Sequence, residues 1–157
     1  KDIVVPSQGV HLVLDKNFLP SEYAIMIPNT PDGRVMFAVP WHNHVVVGTT
    51  DTLMENHSLE PVALDEEIDF LLETAGRYLV KRPTRMDILS VFAGLRPLAK
   101  PAEGDKETKE ISRGHKIIIS VSGLISIIGG KWTTYRKMAE DVIEKAILLG
   151  GLPEREC

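Results

Sequence analysis

The chain has 157 residues, 43% hydrophobic and 25% charged, with a formal net charge of −4. This is the size and composition of one soluble globular domain with material for a core, and its acidic balance excludes the basic surface of a nucleic-acid-binding protein. The only cysteine is Cys157 at the last position, which excludes an internal disulfide framework or cysteine metal site and favours a reducing compartment. No charged-then-apolar leader opens the sequence, and no apolar run is long enough to span a membrane. The start at Lys1 and the polar tail after "LLGG" read as cuts in a larger protein.

After the turn-like Pro6-Ser7-Gln8-Gly9, Val10–Leu14 reads as a β-branched and aliphatic strand. Tyr23–Ile27 and Arg34–Val39 follow, joined through a Pro31-Asp32-Gly33 turn. Trp41-His42-Asn43 makes another tight connection into a strand over His44–Thr50. Strands this close must run antiparallel, because a parallel partner needs a long crossover.

The period then changes. Ile68, Leu71, Leu72, Ala75, Tyr78 and Leu79 fall on one face of a helix. Asp65 is placed to cap it, Glu66 and Glu67 to suit its positive end, and Lys81-Arg82 its negative end before Pro83. Ile88–Phe92 reads as a strand ending at "AGLRPLA". Residues 100–114 are polar and unperiodic, as in an exposed loop. Lys116–Val121 and Leu124–Ile128 form a predicted hairpin about Ser122-Gly123. A last helix carries Tyr135, Met138, Ala139, Val142 and Ala146 on one face, with an Asp141–Lys145 pair on another. The sum is an α+β chain: a mixed, mostly antiparallel sheet with two main helices.

The stretch Gly129-Gly130-Lys131 is the strongest chemical signal. It is not a P-loop, because position 125 is Ile and Trp132 follows the lysine. A strand, a glycine pair and a helix start remain, and the free N–H groups there favour negative charge. A plain strand-to-helix turn capped by Thr133 or Thr134 fits equally well. Lys131 tips the reading toward an anion, since a cation at a helix's positive end is otherwise unfavourable.

Arg96, in "GLRPL", offers a planar fork of donors for carboxylate or phosphate, although a structural ion pair is the commoner role for an arginine. "GTTD", Gly48 to Asp51, reads on its own as a turn with an Asx-type hydrogen bond. His42, His44, His57 and His115 have polar surroundings and no ligand-spaced partners, so no metal site is expected. His11 differs in sitting inside a strand, on the face opposite Val10 and Leu12. No strand–GxGxxG–helix and no nucleophile elbow occurs.

Together, "QGVHLVL", "RVMFAVPW", "VVVGTTDT", "FAGLRPL", "SRGH" and "GLISIIGGKWTTYRKMAED" resemble, in order, the FAD-dependent (respiratory) glycerol-3-phosphate dehydrogenases. These belong among the glycine oxidase and D-amino-acid oxidase-like flavoproteins, and the resemblance spans residues 5 to 150. It implies a middle part of such an enzyme: a substrate-binding cap over residues 1–98, a loop over 99–114, and the last strand and helix of the FAD domain over 115–157. It also implies that Gly129, Gly130, Lys131, Trp132 and Thr133 face the flavin, where N–H groups and a positive dipole stabilise its reduced form. Arg96, Arg113 and Thr49 would hold glycerol 3-phosphate, and Lys131 would assist at flavin or substrate. His11 would accept the C2 hydroxyl proton.

The parent would oxidise glycerol 3-phosphate to dihydroxyacetone phosphate and pass electrons to quinone. It would work in the cytoplasm or as a peripheral protein at the cytoplasmic face of a bacterial inner membrane. The isolated chain, lacking the ADP-binding half of the FAD site, is expected to be inactive. Two alternatives stay open: a related flavin oxidase acting on another small acid, and a non-catalytic anion-binding module. Either quinone or oxygen could take the electrons.

Overall fold

The structure is a computed structural model and describes residues 3–28, 30–31, 33–56, 58–100 and 114–155. The predicted loop lies mostly outside the described residues, as do Arg113 and His57. The chain divides into two compact units, Ser7–Leu95 and a second made of Lys1–Pro6 with Arg96–Cys157.

Alternation of side chains builds the first unit. Along β1 (Val4–Asp15), Val10, Leu12 and Leu14 are fully buried, while His11 and Val13 face the other way. β2 (Ile25–Ile27), β3 (Met36–Trp41) and β4 (His44–Gly48) form an antiparallel meander, and β4 pairs antiparallel with β1. His42 and Asn43, with φ of 43° and 63°, make the tight turn between β3 and β4. A short β5 (Thr52–Leu53) then pairs with Ser7 and Gln8 of β1.

Helix α1 (Asp65–Ala75) closes the buried face of this sheet with Leu71, Leu72 and Ala75, assisted by Leu79, Phe18 and Leu19. Each fully buried aliphatic side chain contributes about 1.5–3 kcal/mol, so this face is the main source of the unit's stability.

Both ends of α1 differ from the sequence expectation. Leu64, not Asp65, occupies the cap position, and the Glu67 carboxylate reaches back to the Leu64 N–H at 2.9 Å. Asp65 instead accepts from Arg85 at 2.6 Å. The helix stops at Ala75 with Gly76 as its C-cap, so Lys81 and Arg82 lie beyond its last turn. The Lys81 ammonium sits 4.4 Å from the centre of the Phe18 ring.

β6 (Ser90–Ala99) is longer than predicted, and Arg96 lies within it rather than at its end. Its pairing with β1 brackets the strand: Leu89 N–H donates to the Val13 carbonyl, and Lys100 N–H to that of Ile3. Pro97 is tolerated because β6 pairs only with β1 among the described strands.

In the second unit, β7 (His115–Ile119) and β8 (Ile125–Gly129) form the predicted hairpin, with Gly123 at φ 83° in its turn. A single 3-10 turn over Trp132–Thr134 leads into α2 (Tyr135–Gly150), closed by Gly151 in the left-handed region. No residue of α2 is buried. The expected Asp141–Lys145 pair is replaced. Asp141 bonds Lys137 at 2.9 Å, one turn toward the N-terminus, and also the ring of His115 at 2.8 Å. Among the described residues the architecture is α+β, mostly antiparallel with two α-helices.

Candidate functional site

The sheet face turned away from α1 in the first unit forms a cavity of about 690 Å3. His11, Val13, Val39, Val46, Thr49 and Phe92 are among its lining residues. The period-2 alternation that buries Leu12 presents His11 and Val13 here. The His11 ring stacks on Phe92 with centroids 5.0 Å apart and planes 11° apart.

Beneath that ring, Gly48 is the β4 partner of His11. A Cβ on Gly48 would come within 2.8 Å of His11 Cγ and closer still to another ring carbon. Only glycine lets the ring lie across the strand at this point. The cavity is mostly apolar, with the His11 ring and Thr49 toward the Gly48 end of β4 and the His44 ring toward its other end, the usual composition of a small-molecule site.

Behind the cavity floor lies a polar cluster that the sequence reading missed. Glu67 is only 5% exposed. Its Oε1 accepts from the hydroxyls of Thr50 at 2.8 Å and Thr52 at 2.7 Å. Its Oε2 accepts from Gln8 Nε2 at 2.7 Å and Leu64 N–H at 2.9 Å. Burial pushes the carboxyl's pKa up, but the hydrogen bonds from Leu64, Thr52, Thr50 and Gln8 outweigh it and hold the group below its usual range. Thr50 Oγ1 accepts in turn from Val10 N–H at 3.0 Å, and the Ser7 hydroxyl donates to Asp51. The segment "GTTDT", read from sequence as an Asx-type turn over Gly48 to Asp51, is tied to β1 and α1 by these bonds. The signal was present in the sequence: Glu67 falls four residues before Leu71 on the buried stripe, rather than on the solvent side.

In the second unit the glycine pair adopts the geometry its composition suggested. Gly129 and Gly130 have φ of 72° and 84°. A Cβ on Gly129 would come 2.8 Å from the Gly114 carbonyl, which accepts the Gly130 N–H at 3.2 Å. Trp132 and Thr133 open the helical run, so their N–H groups have no preceding turn to accept them. The Thr134 hydroxyl donates to the Lys131 carbonyl at 3.0 Å rather than capping α2. Lys131 is exposed, with no acidic partner among the described residues.

Below this turn, Lys137 and, secondarily, His115 depress the pKa of Asp141. The His115–Asp141 contact was not foreseen, because its partners lie on different elements, far apart in sequence.

The candidate residues thus fall into two groups. His11 and Thr49 share the cavity of the first unit. The second unit holds Gly129, Gly130, Lys131, Trp132 and Thr133 in one turn, with Arg96 half-buried in its part of β6. Arg113 lies outside the described residues. Among the described residues no helix is long and apolar enough to cross a membrane.

The chain belongs to the FAD-dependent oxidoreductases, as the family match over most of its length shows. Residues 1–136 match the model of the DAO family, FAD dependent oxidoreductase. Among relatives, the chain is 44% identical to the mitochondrial glycerol-3-phosphate dehydrogenase SDP6 of Arabidopsis thaliana, covering 100% of this chain and 25% of that protein. It is 40% identical to the mitochondrial glycerol-3-phosphate dehydrogenase of Saccharomyces cerevisiae, over 95% of this chain and 24% of that one. Among solved structures it resembles the glycerol-3-phosphate dehydrogenase of Bacillus halodurans complexed with FAD. There the TM-score is 0.77 and the identity 36%, over 97% of this chain and 28% of that chain. The chain spans about a quarter of the length of the curated relatives it matches.

Proposed function

We propose that this chain is part of a flavoenzyme that oxidises sn-glycerol 3-phosphate to dihydroxyacetone phosphate. The observation that carries the proposal is the 40–44% identity, over nearly the whole chain, to relatives named glycerol-3-phosphate dehydrogenase. In this reading residues 1–98 supply the substrate cap and residues 115–157 the last strand and helix of the FAD domain.

FAD, when bound, supplies the hydride acceptor for C2 of the substrate. The glycine turn fits such a group: two positive-φ glycines leave the backbone bare, and the Trp132 and Thr133 N–H groups are free of a preceding turn. Gly129, Gly130, Lys131, Trp132 and Thr133 would hold the cofactor in this proposal, and the helix start would favour negative charge on a group bound beside it.

Oxidation at C2 removes one hydride from carbon and one proton from the hydroxyl, leaving a carbonyl. His11, as a neutral imidazole, takes that proton, and its ring is held for the task between Gly48 and Phe92. Arg96 binds the substrate over the flavin, and Arg113 helps hold the phosphate, since the guanidinium fork matches carboxylate and phosphate oxygens. Thr49 lines the cavity that also holds His11 and contacts the substrate there in this proposal, and Lys131 adds positive charge at flavin or substrate. Electrons pass on to quinone, and the parent acts as a peripheral protein at the membrane face. The isolated chain, a quarter of the length of its relatives, is inactive alone.

Arginine variants of the FAD-loaded whole protein test this reading. Arg96→Ala and Arg113→Ala should each lower kcat/KM for glycerol 3-phosphate by about a hundredfold, the scale of a lost charge-assisted hydrogen bond of about 3 kcal/mol. Normal turnover in both, or a wild-type preference for an amino acid, would transfer the scaffold to another small acid.

A further inference from the structure

We infer that Glu67 is a positioning residue that fixes His11 over the cavity floor through Thr50 and Val10. This rests on the reading of His11 as the proton acceptor. Glu67 lines no part of the cavity, yet its carboxylate is the hub on which that wall is assembled.

The chain of contacts is short. Glu67 Oε1 accepts a hydrogen bond from the Thr50 hydroxyl at 2.8 Å, which leaves a lone pair of the Thr50 oxygen to accept from the Val10 N–H at 3.0 Å. Val10 precedes His11, and Thr50 is two residues from Gly48, against which the His11 ring lies. One carboxylate therefore sets the separation of β1 from the "GTTDT" segment just where the imidazole crosses it. Thr52 and Gln8 brace the same carboxylate from β5 and β1, so it cannot swing without losing several partners.

The chemistry also requires an acid there. Four donors converge on two oxygens, and an ionised carboxylate has the acceptor sites for all of them. Alanine would leave the Leu64 N–H, the Gln8 amide and two hydroxyls to find new partners in a buried site. Glutamine, with its amide oxygen toward Thr50 and Thr52, would keep those two hydroxyl contacts but would set an NH2 group against the Leu64 N–H and the Gln8 amide. Thr50→Val cuts the same link with a side chain of the same shape.

The test uses the FAD-loaded whole protein carrying Glu67→Ala, Glu67→Gln or Thr50→Val. Its first readout needs no substrate: the rate at which diethyl pyrocarbonate modifies His11, mapped by peptide mass spectrometry. Glu67→Ala and Thr50→Val should speed modification of His11 by about threefold or more, with His42 and His44 unchanged, because only the His11 ring loses its fixed seat. Glu67→Gln should fall between these and the wild type.

In turnover, kcat for glycerol 3-phosphate should drop about tenfold to a hundredfold while KM moves little, the pattern of a misplaced proton acceptor rather than a lost substrate contact. If Glu67→Ala does not fold, the isosteric Thr50→Val decides. If the wild type does not oxidise glycerol 3-phosphate, the proposed function fails and the His11 modification ratio still judges Glu67. An unchanged His11 rate in a folded, flavin-loaded Thr50→Val protein overturns the inference.

Discussion

The two units of this chain solve the burial problem differently. Residues 7–95 close a core of their own, in which β1, β3, β4 and α1 bury their apolar sides against one another. In the second unit, α2 carries an amphipathic sequence yet buries none of its residues, and Leu148 and Leu149 are exposed. A helix depends on packing of its apolar face more than on propensity, so the first unit has its own source of stability and α2 has little. For the proposed enzyme this means that the cap carries its own rigidity, while the flavin-facing turn depends on what α2 packs against in the longer protein.

The largest effect expected from this contrast is in the core of the first unit. Leu12→Ala should cost about 2–5 kcal/mol, the range for a buried leucine replaced by alanine, measured by urea unfolding of the chain. Gly129→Ala comes next. The left-handed backbone alone costs about 1–2 kcal/mol for a non-glycine residue, and the contact with the Gly114 carbonyl adds to it. A loss confined to the second unit, followed by amide exchange, would sharpen the contrast. Smallest of these, Val142→Ala on the half-buried side of α2 should cost under about 1 kcal/mol in this chain. A cost equal to that of Leu12→Ala would break the comparison.

Acid should act first on the first unit. Glu67 has a folded pKa below its ordinary value of 4.5, so its contribution is complete above that value. It is lost as pH falls through the lower folded pKa. The fall in stability of this unit on acidification below about pH 4.5 should therefore be shallower in Glu67→Gln than in the wild type, read from unfolding midpoints across that range. Equal slopes would remove Glu67 from the account.

Much of the fold could be read from residues alone wherever the pattern is local. The alternation in Val10–Leu14 and the stripe of Leu71, Leu72, Ala75 and Leu79 each declare their buried face, and glycine pairs declare turns. Elements that depend on distant partners could not be read. Two-residue β5 exists only because Ser7 and Gln8 offer it a ladder, and β6 runs on through Pro97 because among the described strands it pairs with β1 alone. Glu67 reads as a helix-dipole acid until Thr50, Thr52 and Gln8 are seen to converge on it. In the candidate site, His11 and the Gly129–Gly130 turn were legible from position and composition. Arg96 stood out by its guanidinium, whereas the proposed roles of Arg113 and Thr49 came only through the resemblance.

The most direct measurement is anaerobic mixing of the FAD-loaded whole protein with glycerol 3-phosphate while the oxidised-flavin absorbance is followed. The account predicts rapid bleaching with one dihydroxyacetone phosphate formed per flavin, and none with glycerol. Flavin that stays oxidised with glycerol 3-phosphate but bleaches with another small acid would contradict it.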